Sequence, residues 1–401
     1  MADVFKAHKV SEKVYWVGAI DWGLREFHGY ATPRGTTYNA FLVLAEKVTL
    51  VDTVKRPFVD EMFARVADVI EPSKIDYIIS NHAEMDHTGG LPITIDRVGP
   101  EKVFASTMGA KALEEHFHFG YPIEPVRDGQ TLNLGDMDVT FMETRMLHWP
   151  DSMMSYLAQA KILFSQDGFG MHLASSRRYD DELDLALLEW EAAKYYANIL
   201  MPYAQMVEQL YGRLKSFDRP IDLIAPDHGP MWRKHIGWIA DHYHRWAKRE
   251  AKAKAVVTFD TMWHSTQLMA DAVAEGLAEA GLAVKVMPLA GSHRSDVATE
   301  VLDAAALLVG TPTINSQMFP TVADVLCYLR GLRPAGLTGA AFGSYGWGTG
   351  AGVDQVQAIL ADMKVELAAE PLKVKYVPDA EALARCRELG LTVGRKALQS
   401  L

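Results

Sequence analysis

Cysteine is nearly absent from this chain. Cys327 and Cys386 are the only two, and they form no CxxC pair. That excludes a cysteine-ligated zinc ribbon, a four-cysteine iron–sulfur cluster or a rubredoxin-type centre built from this chain. It also fits a reducing compartment, where disulfides are rare. Long hydrophobic runs are missing too: nothing approaches the ~20 apolar residues of a membrane span. Residues 1–13 contain no apolar stretch of the signal-peptide kind. A soluble cytoplasmic protein is expected. Clustered positive charge is the third absence. The formal net charge is −11 and no Lys/Arg-rich run occurs, which disfavours nonspecific binding to nucleic acid or anionic lipid and leaves room for a basic protein partner. Neither GxGxxG nor GxxxxGK followed by Ser or Thr occurs, so a nicotinamide Rossmann site and a P-loop are not indicated.

What is present is an ordinary globular composition. Of the 401 residues, 49% are apolar and 23% charged, enough for two separate cores. Domains usually run to about 100–200 residues, so two are expected. The first half alternates short β-rich runs with turns. Strand patterns fall at 14–17, 37–44, 47–52, 75–80, 102–105, 139–143, 161–165 and 222–224, and helical patterns at 60–69, 181–198 and 203–214. Many strands with helices between some of them predict a sheet sandwich with helices outside.

The texture changes after residue 245. Residues 245–254 (RWAKREAKAK) are charged and read as an exposed helix end or linker. Strand patterns at 255–259, 283–288, 306–309, 338–342 and 372–376 then alternate with helical ones at 265–280, 296–304, 322–331, 354–363 and 380–398. Strict alternation predicts a doubly wound parallel sheet. The expected domains are 1–250 and 251–401, both α/β.

The run Asn81-His82-Ala83-Glu84-Met85-Asp86-His87 follows directly on the strand pattern at 75–80. It places four potential metal ligands within six residues, in a loop at a strand end, where α/β sites are built. Three more strand patterns lead to ligand-type residues: 139–143 to His148, 161–165 to Asp167, and 222–224 to His228. Strand ends of one sheet can converge, so His82, Glu84, Asp86, His87, His148, Asp167 and His228 are candidates for one cluster, with Asp167 as the bridging carboxylate. Imidazole together with carboxylate suits iron, manganese or zinc, and the carboxylate share favours a hard, redox-capable metal. His116 and His118 lie in a Glu-Glu-His-Phe-His-Phe run and read as surface or helix-end residues. His172 and His235 have no supporting pattern.

In the second half, Thr261, Met262, Trp263, His264, Ser265 and Thr266 occupy a strand-to-helix turn. Hydroxyls and backbone N–H groups at such a turn form an anion cradle, although Ser and Thr there also serve as plain helix N-caps. Two further loops follow strands at Pro312, Thr313, Ile314 and Asn315, and at Ser344, Tyr345, Gly346 and Trp347. Both flank the switch point where flavodoxin-like folds hold FMN. Their backbone amides can contact an isoalloxazine, and an aromatic side chain can stack on it.

The HxExDH run, taken with His148, Asp167 and His228, resembles that of the flavodiiron proteins, also called A-type flavoproteins or rubredoxin:oxygen oxidoreductases. The Thr-Met-Trp-His-Ser-Thr loop is similar to the family's variant of the flavodoxin phosphate loop. The order of the two halves matches, and the resemblance covers essentially the whole chain. It implies an N-terminal metallo-β-lactamase-like αββα sandwich with a non-haem diiron centre, then a C-terminal flavodoxin-like doubly wound parallel sheet with FMN. Hydrolases of the first fold usually carry HxHxDH around zinc; Glu84 replaces the middle histidine here and favours oxidised iron. The resemblance puts His82, Glu84 and His148 on one iron, Asp86 and His228 on the other, and Asp167 between them. His87 is either a ligand or turned away, since both occur in the family. His28 and Tyr195 match family positions near the diiron pocket and are the expected donors of protons or hydrogen bonds.

The activity so implied is reduction of dioxygen to water, of nitric oxide to nitrous oxide, or of both. Electrons would pass through FMN from an external donor such as rubredoxin. A head-to-tail homodimer would set each FMN against the partner's irons. The competing readings are a zinc hydrolase fused to a flavodoxin module, against which Glu84 argues, and a pure electron-transfer flavoprotein, against which the full ligand set argues.

Overall fold

Alternation along the first strands decides their surroundings. In Phe41–Val43, Phe41 and Val43 enter one core and Leu42 another, as the two-residue period of a strand requires. The same split separates Val51 from Leu50 and Ile79 from Ile78. A sheet buried on both faces needs a layer on each side. The computed structural model shows both layers. It describes residues 4–118 and 120–401; the first three residues, and Phe119 of the histidine run at 114–119, lie outside the described residues.

The chain falls into two compact units. One comprises Met1–His28, Thr32–Tyr195 and Gln205–His244, the other Gly29–Ala31, Tyr196–Ala204 and Arg245–Leu401. In the first unit a seven-stranded sheet runs in the order His8–Lys9, Val14–Trp16, Phe41–Val43, Thr49–Val51, Tyr77–Ser80, Lys102–Ser106, Ile123–Val126. A five-stranded sheet runs Thr131–Asn133, Asp138–Glu143, Met153–Leu157, Ile162–Gln166, Leu223–Pro226. Trp16, Phe41 and Phe104 of the former share a core with Phe141, Leu157 and Phe164 of the latter, and the Phe41 and Phe164 rings lie 5.1 Å apart. Against the outer face of the seven-stranded sheet, helix Val59–Ala67 lays Val59, Met62, Phe63 and Val66, a helical stripe facing Leu42, Leu50 and Ile78.

The sequence pattern at 37–44 is one strand by composition but two in the fold, Thr36–Tyr38 and Phe41–Val43. The break comes at Asn39. Its N–H donates to Asp227 O at 2.8 Å, and its side-chain amide donates to Pro226 O at 2.6 Å and Gly229 O at 3.0 Å. The strand Met153–Leu157 escaped the sequence reading because all five of its residues are buried, so it shows no alternation to detect. Helices Leu91–Val98, Thr107–Phe117 and Ile236–Ala247 escaped too. The segment 245–254 is no free linker: it holds the end of helix Ile236–Ala247 and the start of strand Lys252–Phe259.

The second unit has parallel strands in the order Ala283–Pro288, Lys252–Phe259, Ala304–Ile314, Thr338–Tyr345, with Leu372–Lys375 pairing the last of these. Starting from Lys252–Phe259, the chain winds outward in both directions, which is the doubly wound arrangement with its switch point beside that strand. Helices Ser265–Glu279 and Ala380–Gln399 cover one face through Met269, Val273, Leu277, Cys386, Leu389 and Val393. They approach closely at two glycines. A Cβ on Gly276 would lie 1.9 Å from Arg387 O, and one on Gly390 would lie 2.1 Å from Val273 O.

Candidate metal centre and cofactor cleft

Four strand ends of the first unit deliver the candidate ligands. Tyr77–Ser80 runs into the loop carrying His82 to His87; Asp138–Glu143 leads to His148, Ile162–Gln166 to Asp167, and Leu223–Pro226 to His228. The first of these strands belongs to the seven-stranded sheet and the other three to the five-stranded one. Gln166 has left-handed backbone (φ 46°) and so do Asp52 and Met146. Such conformations are uncommon outside glycine and concentrate at sites.

All seven side chains converge. His82, Glu84, His148 and Asp167 form one group, and Asp86, His87 and His228 a second; within each, one ligand atom per residue lies within 4.8 Å of the others. Asp167 stands between them. Its Oδ2 is 3.0 Å from His148 Nε2 and 3.4 Å from His82 Nε2, while its Oδ1 is 3.3 Å from His87 Nε2 and 3.5 Å from His228 Nε2. Glu84 Oε2 lies 3.2 Å from His148 Nε2 and 3.3 Å from His82 Nε2. His228 Nε2 is 3.1 Å from Asp86 Oδ2.

The electrostatics follow from burying three carboxylates among four imidazoles. Burial alone would raise the carboxyl pKa values. The facing imidazoles outweigh it, so Glu84, Asp86 and Asp167 all sit below the ordinary carboxylate range. Burial would lower His82 and His87, yet the carboxylates raise both well above the usual histidine value.

Of the two further candidates, His28 is exposed and puts Nε2 2.9 Å from Glu84 Oε1. That hydrogen bond is the main reason its pKa is raised. Tyr195 is buried, with its ring 5.2 Å from that of His172 and 6.2 Å from that of His228. It ends helix Leu185–Tyr195, where the chain passes into a π-helical turn, Tyr196–Leu200; such turns are rare and frequent at functional sites.

Several neighbours escaped the sequence reading. Asp151 Oδ2 lies 3.0 Å from His82 Nδ1. Thr37 O accepts from His228 Nδ1 at 2.6 Å. Asp227 Oδ2 is 3.4 Å from His87 Nδ1, without hydrogen-bond geometry. His172 is buried with Nδ1 2.9 Å from Thr36 Oγ1, and its ring lies 4.7 Å from that of His228. Asp151 and Asp227 each stand within three residues of a candidate ligand, which was the available signal. His172 had none. His116 is exposed, with its ring 6.1 Å from that of Trp149. His118 is the left-handed C-cap of helix Thr107–Phe117. His235 donates to Asp180, away from the cluster.

The second unit holds a cleft of about 660 Å³, lined by Met262, Trp263, Ser265, Pro312, Thr313, Ile314, Asn315, Ser316, Ser344, Tyr345, Gly346 and Trp347, and continued by 348–351, Tyr376 and Val377. Four loops at strand carboxyl ends build it, beside the switch point. Thr261, His264 and Thr266 do not line it. Thr266 is buried and shares a hydrogen bond of 3.0 Å with Ser344 Oγ; His264 Nδ1 pairs with Gln267 Oε1 at 2.9 Å. Thr261 Oγ1 and Thr313 Oγ1 are buried without a hydrogen-bond partner. Trp263 and Trp347 are 88% and 86% exposed, so two indole faces remain open for stacking at the cleft. Ser316, residues 348–351, Tyr376 and Val377 were missed because a lone serine and glycine-rich or short apolar segments carry no cofactor signature.

Residues 36–229 match the ODP family beta lactamase and residues 257–390 match Flavodoxin. A nitric oxide reductase of Moorella thermoacetica is 44% identical over 395 residues, 96% of this chain and 98% of that relative. The solved structure of rubredoxin oxygen:oxidoreductase from Desulfovibrio gigas superposes with a TM-score of 0.96 at 42% identity, covering 98% of this chain and 99% of that one. The flavodiiron protein from Giardia intestinalis does so with a TM-score of 0.95 at 32% identity, covering 98% and 97%. The chain belongs to the flavodiiron protein family. Its fold is accordingly the lactamase-like unit followed by the flavodoxin unit that the sequence led one to expect.

The residues of this flavodiiron protein fit a pair of metal ions. Both carboxylate oxygens of Asp86, both ring nitrogens of His87 and Oδ1 of Asp167 are buried without a hydrogen-bond partner, which is costly unless something else satisfies them. Metal bonds of about 2.1 Å at right angles separate neighbouring ligand atoms by about 3 Å, the spacing found here around Asp167 and Glu84. The cleft fits a flavin in the same sense: its volume lies in the range of cofactor pockets, and it offers open aromatic faces and the unpaired hydroxyl of Thr313.

Proposed function

We propose that this flavodiiron protein reduces dioxygen to water, nitric oxide to nitrous oxide, or both, with electrons from an external donor such as rubredoxin. Its sites are a non-haem diiron centre held by His82, Glu84, Asp86, His87, His148, Asp167 and His228, and an FMN in the cleft of the second unit. The observation that carries the reading is the two-sided placement of Asp167, one oxygen toward each ligand group. The names of the relatives, nitric oxide reductase and rubredoxin oxygen:oxidoreductase, agree with it. When bound, the flavin supplies a two-electron store released one electron at a time, and the iron pair a place where a diatomic is reduced.

The chain's own residues do the rest. Glu84 and Asp167 bring negative charge to the buried centre, which favours oxidised iron over zinc. His28 bonds the outer oxygen of Glu84 and, being exposed, is placed to hold a proton between solvent and the site. Tyr195 and His172 wall the site off on the His228 side. In the cleft, Trp347 and Trp263 would stack on the ring system, and the turn at Ser265, which opens helix Ser265–Glu279, would hold the phosphate. Transfer between the two cofactors runs across a head-to-tail homodimer. The domain boundary lies near 250 and the setting is cytoplasmic; no helix among the described residues is long and apolar enough to cross a membrane.

The test is anaerobic stopped-flow. The FMN-reduced, iron-loaded protein is mixed separately with dioxygen and with nitric oxide. Flavin reoxidation at catalytic rates with at least one of them is expected. Reoxidation with neither, or a purified protein that holds zinc and hydrolyses an ester, sinks the reading.

A further inference from the structure

Each imidazole in the cluster has two ring nitrogens, and the outer one decides how firmly the inner one is aimed. His228 is held by a main-chain carbonyl, Thr37 O. His87 faces Asp227 at 3.4 Å without hydrogen-bond geometry. His82 differs from both. Its Nδ1 lies 3.0 Å from Oδ2 of Asp151, and the same oxygen accepts the backbone N–H of Ala83 at 2.6 Å. One carboxylate oxygen thus spans two consecutive residues of the ligand loop.

Asp151 is itself fixed. Its side chain is buried, and its main-chain carbonyl accepts from Ser106 Oγ at 2.6 Å. That hydroxyl in turn caps helix Thr107–Phe117 by accepting from Gly109 N at 2.9 Å. The turn around it is closed by Trp149 N donating to Ser152 Oγ at 3.2 Å. The Trp149 indole stands edge-on to His82, with ring centres 5.3 Å apart and planes at 85°. The other side of the loop is pinned by Asp52, which accepts from the backbone and the side-chain amide of Asn81, both at 2.7 Å.

We propose that Asp151 is the positioning residue of the first metal group. It accepts the Nδ1 proton of His82, fixes that tautomer, and turns the Nε2 lone pair toward Glu84 and Asp167, where a metal ion binds. A carboxylate behind a metal-bound histidine orients the ring and raises its basicity, and its loss typically costs about 10- to 100-fold in metal affinity. Since no other histidine of the cluster is hydrogen-bonded through its outer nitrogen to a carboxylate among the described residues, the effect of removing Asp151 falls on one site of the two. The proposal rests on the metal-centre reading above.

The experiment uses the full-length, FMN-containing protein stripped of metal and titrated anaerobically with Co(II), followed by visible absorption. Wild type is expected to take up two ions. Asp151→Ala should take up one with wild-type affinity and the other about 10- to 100-fold more weakly, with altered absorption bands for that ion only. Asp151→Asn keeps an acceptor of the same shape and loses the charge, so it should fall between them. Wild-type affinity for the other ion, whose ligand group Asp86, His87 and His228 lies in the same unit as Asp151, reports that this unit is folded in all three. If wild type binds two ions and both variants titrate like it with the same bands, Asp151 does not position His82. If Asp151→Ala fails to fold, Asp151→Asn decides alone, and wild-type affinity and bands in it overturn the proposal. Wild type binding no Co(II) overturns the metal-centre reading and the proposal with it.

Discussion

Oδ2 of Asp167 lies 3.0 Å from Nε2 of His148, and the opposite oxygen of the same carboxylate turns to the other ligand group. No other side chain of the cluster divides its atoms between both groups in this way. Asp167→Ala should therefore affect both ions. Iron per chain is expected to fall below one while FMN occupancy stays near wild type, since the cleft belongs to the other unit. Iron assay and flavin absorbance on the same sample check it. Iron and flavin lost in parallel would show a misfolded variant or a different role.

His28 touches the centre only through Glu84, at 2.9 Å. His28→Leu should leave two irons bound and lower turnover about 10- to 100-fold, the usual cost of losing such an outer partner. Iron content and steady-state consumption of dioxygen or nitric oxide, measured together, separate the two effects. Unchanged turnover would make His28 a bystander.

Ser265 lines the cleft at the start of helix Ser265–Glu279. Ser265→Asp puts negative charge where the FMN phosphate is expected, so flavin occupancy should drop at least several-fold with iron retained. Flavin released from wild type should chromatograph as FMN, not FAD. Mixed with His148→Ala under conditions of subunit exchange, each variant being inactive alone, Ser265→Asp should regain partial activity if transfer crosses between subunits. Demonstrated exchange without recovery would point to a route within one chain.

Asp303 pairs with Lys252 at 2.7 Å and with Lys254. Burial pushes its pKa up, but Lys254 and then Lys252 outweigh this and hold it below the ordinary carboxylate value. A depressed folded pKa means that the stabilisation is complete above the unfolded value, near 3.8, and is lost as pH falls through the lower, folded one. Asp303→Asn should destabilise the flavodoxin unit by about 1–3 kcal/mol at pH 7. The gap should hold down to about pH 5 and close below about pH 4. Urea unfolding at several pH values measures it; equal midpoints at pH 7 would refute it.

The alternating second half was legible in the sequence almost element by element, because each strand there is a short apolar run followed by a helix. Strand 283–288 coincides with Ala283–Pro288. The first half was harder. Met153–Leu157 lies inside the sandwich with no polar face, and the break at Asn39 depends on hydrogen bonds to Asp227, Pro226 and Gly229, nearly 190 positions away. The seven ligand candidates were readable because each follows a strand. What backs them was not: Thr37 contributes a carbonyl that any residue would have, and His172 reaches His228 only through the fold.

The seven candidate ligand residues come from two sheets, the loop of His82 to His87 from one and His148, Asp167 and His228 from the other. The cluster therefore works as a gauge of sandwich thickness. The distance between its halves is set by how the side chains between the sheets fill the space, including the Phe41–Phe164 contact at 5.1 Å. Each metal group draws ligands from both sheets, so shaving one of those rings, as in Phe164→Leu, would let the sheets settle and alter the coordination of the iron pair from a residue that is not itself a ligand. Its magnetic coupling would then register a change in a hydrocarbon core.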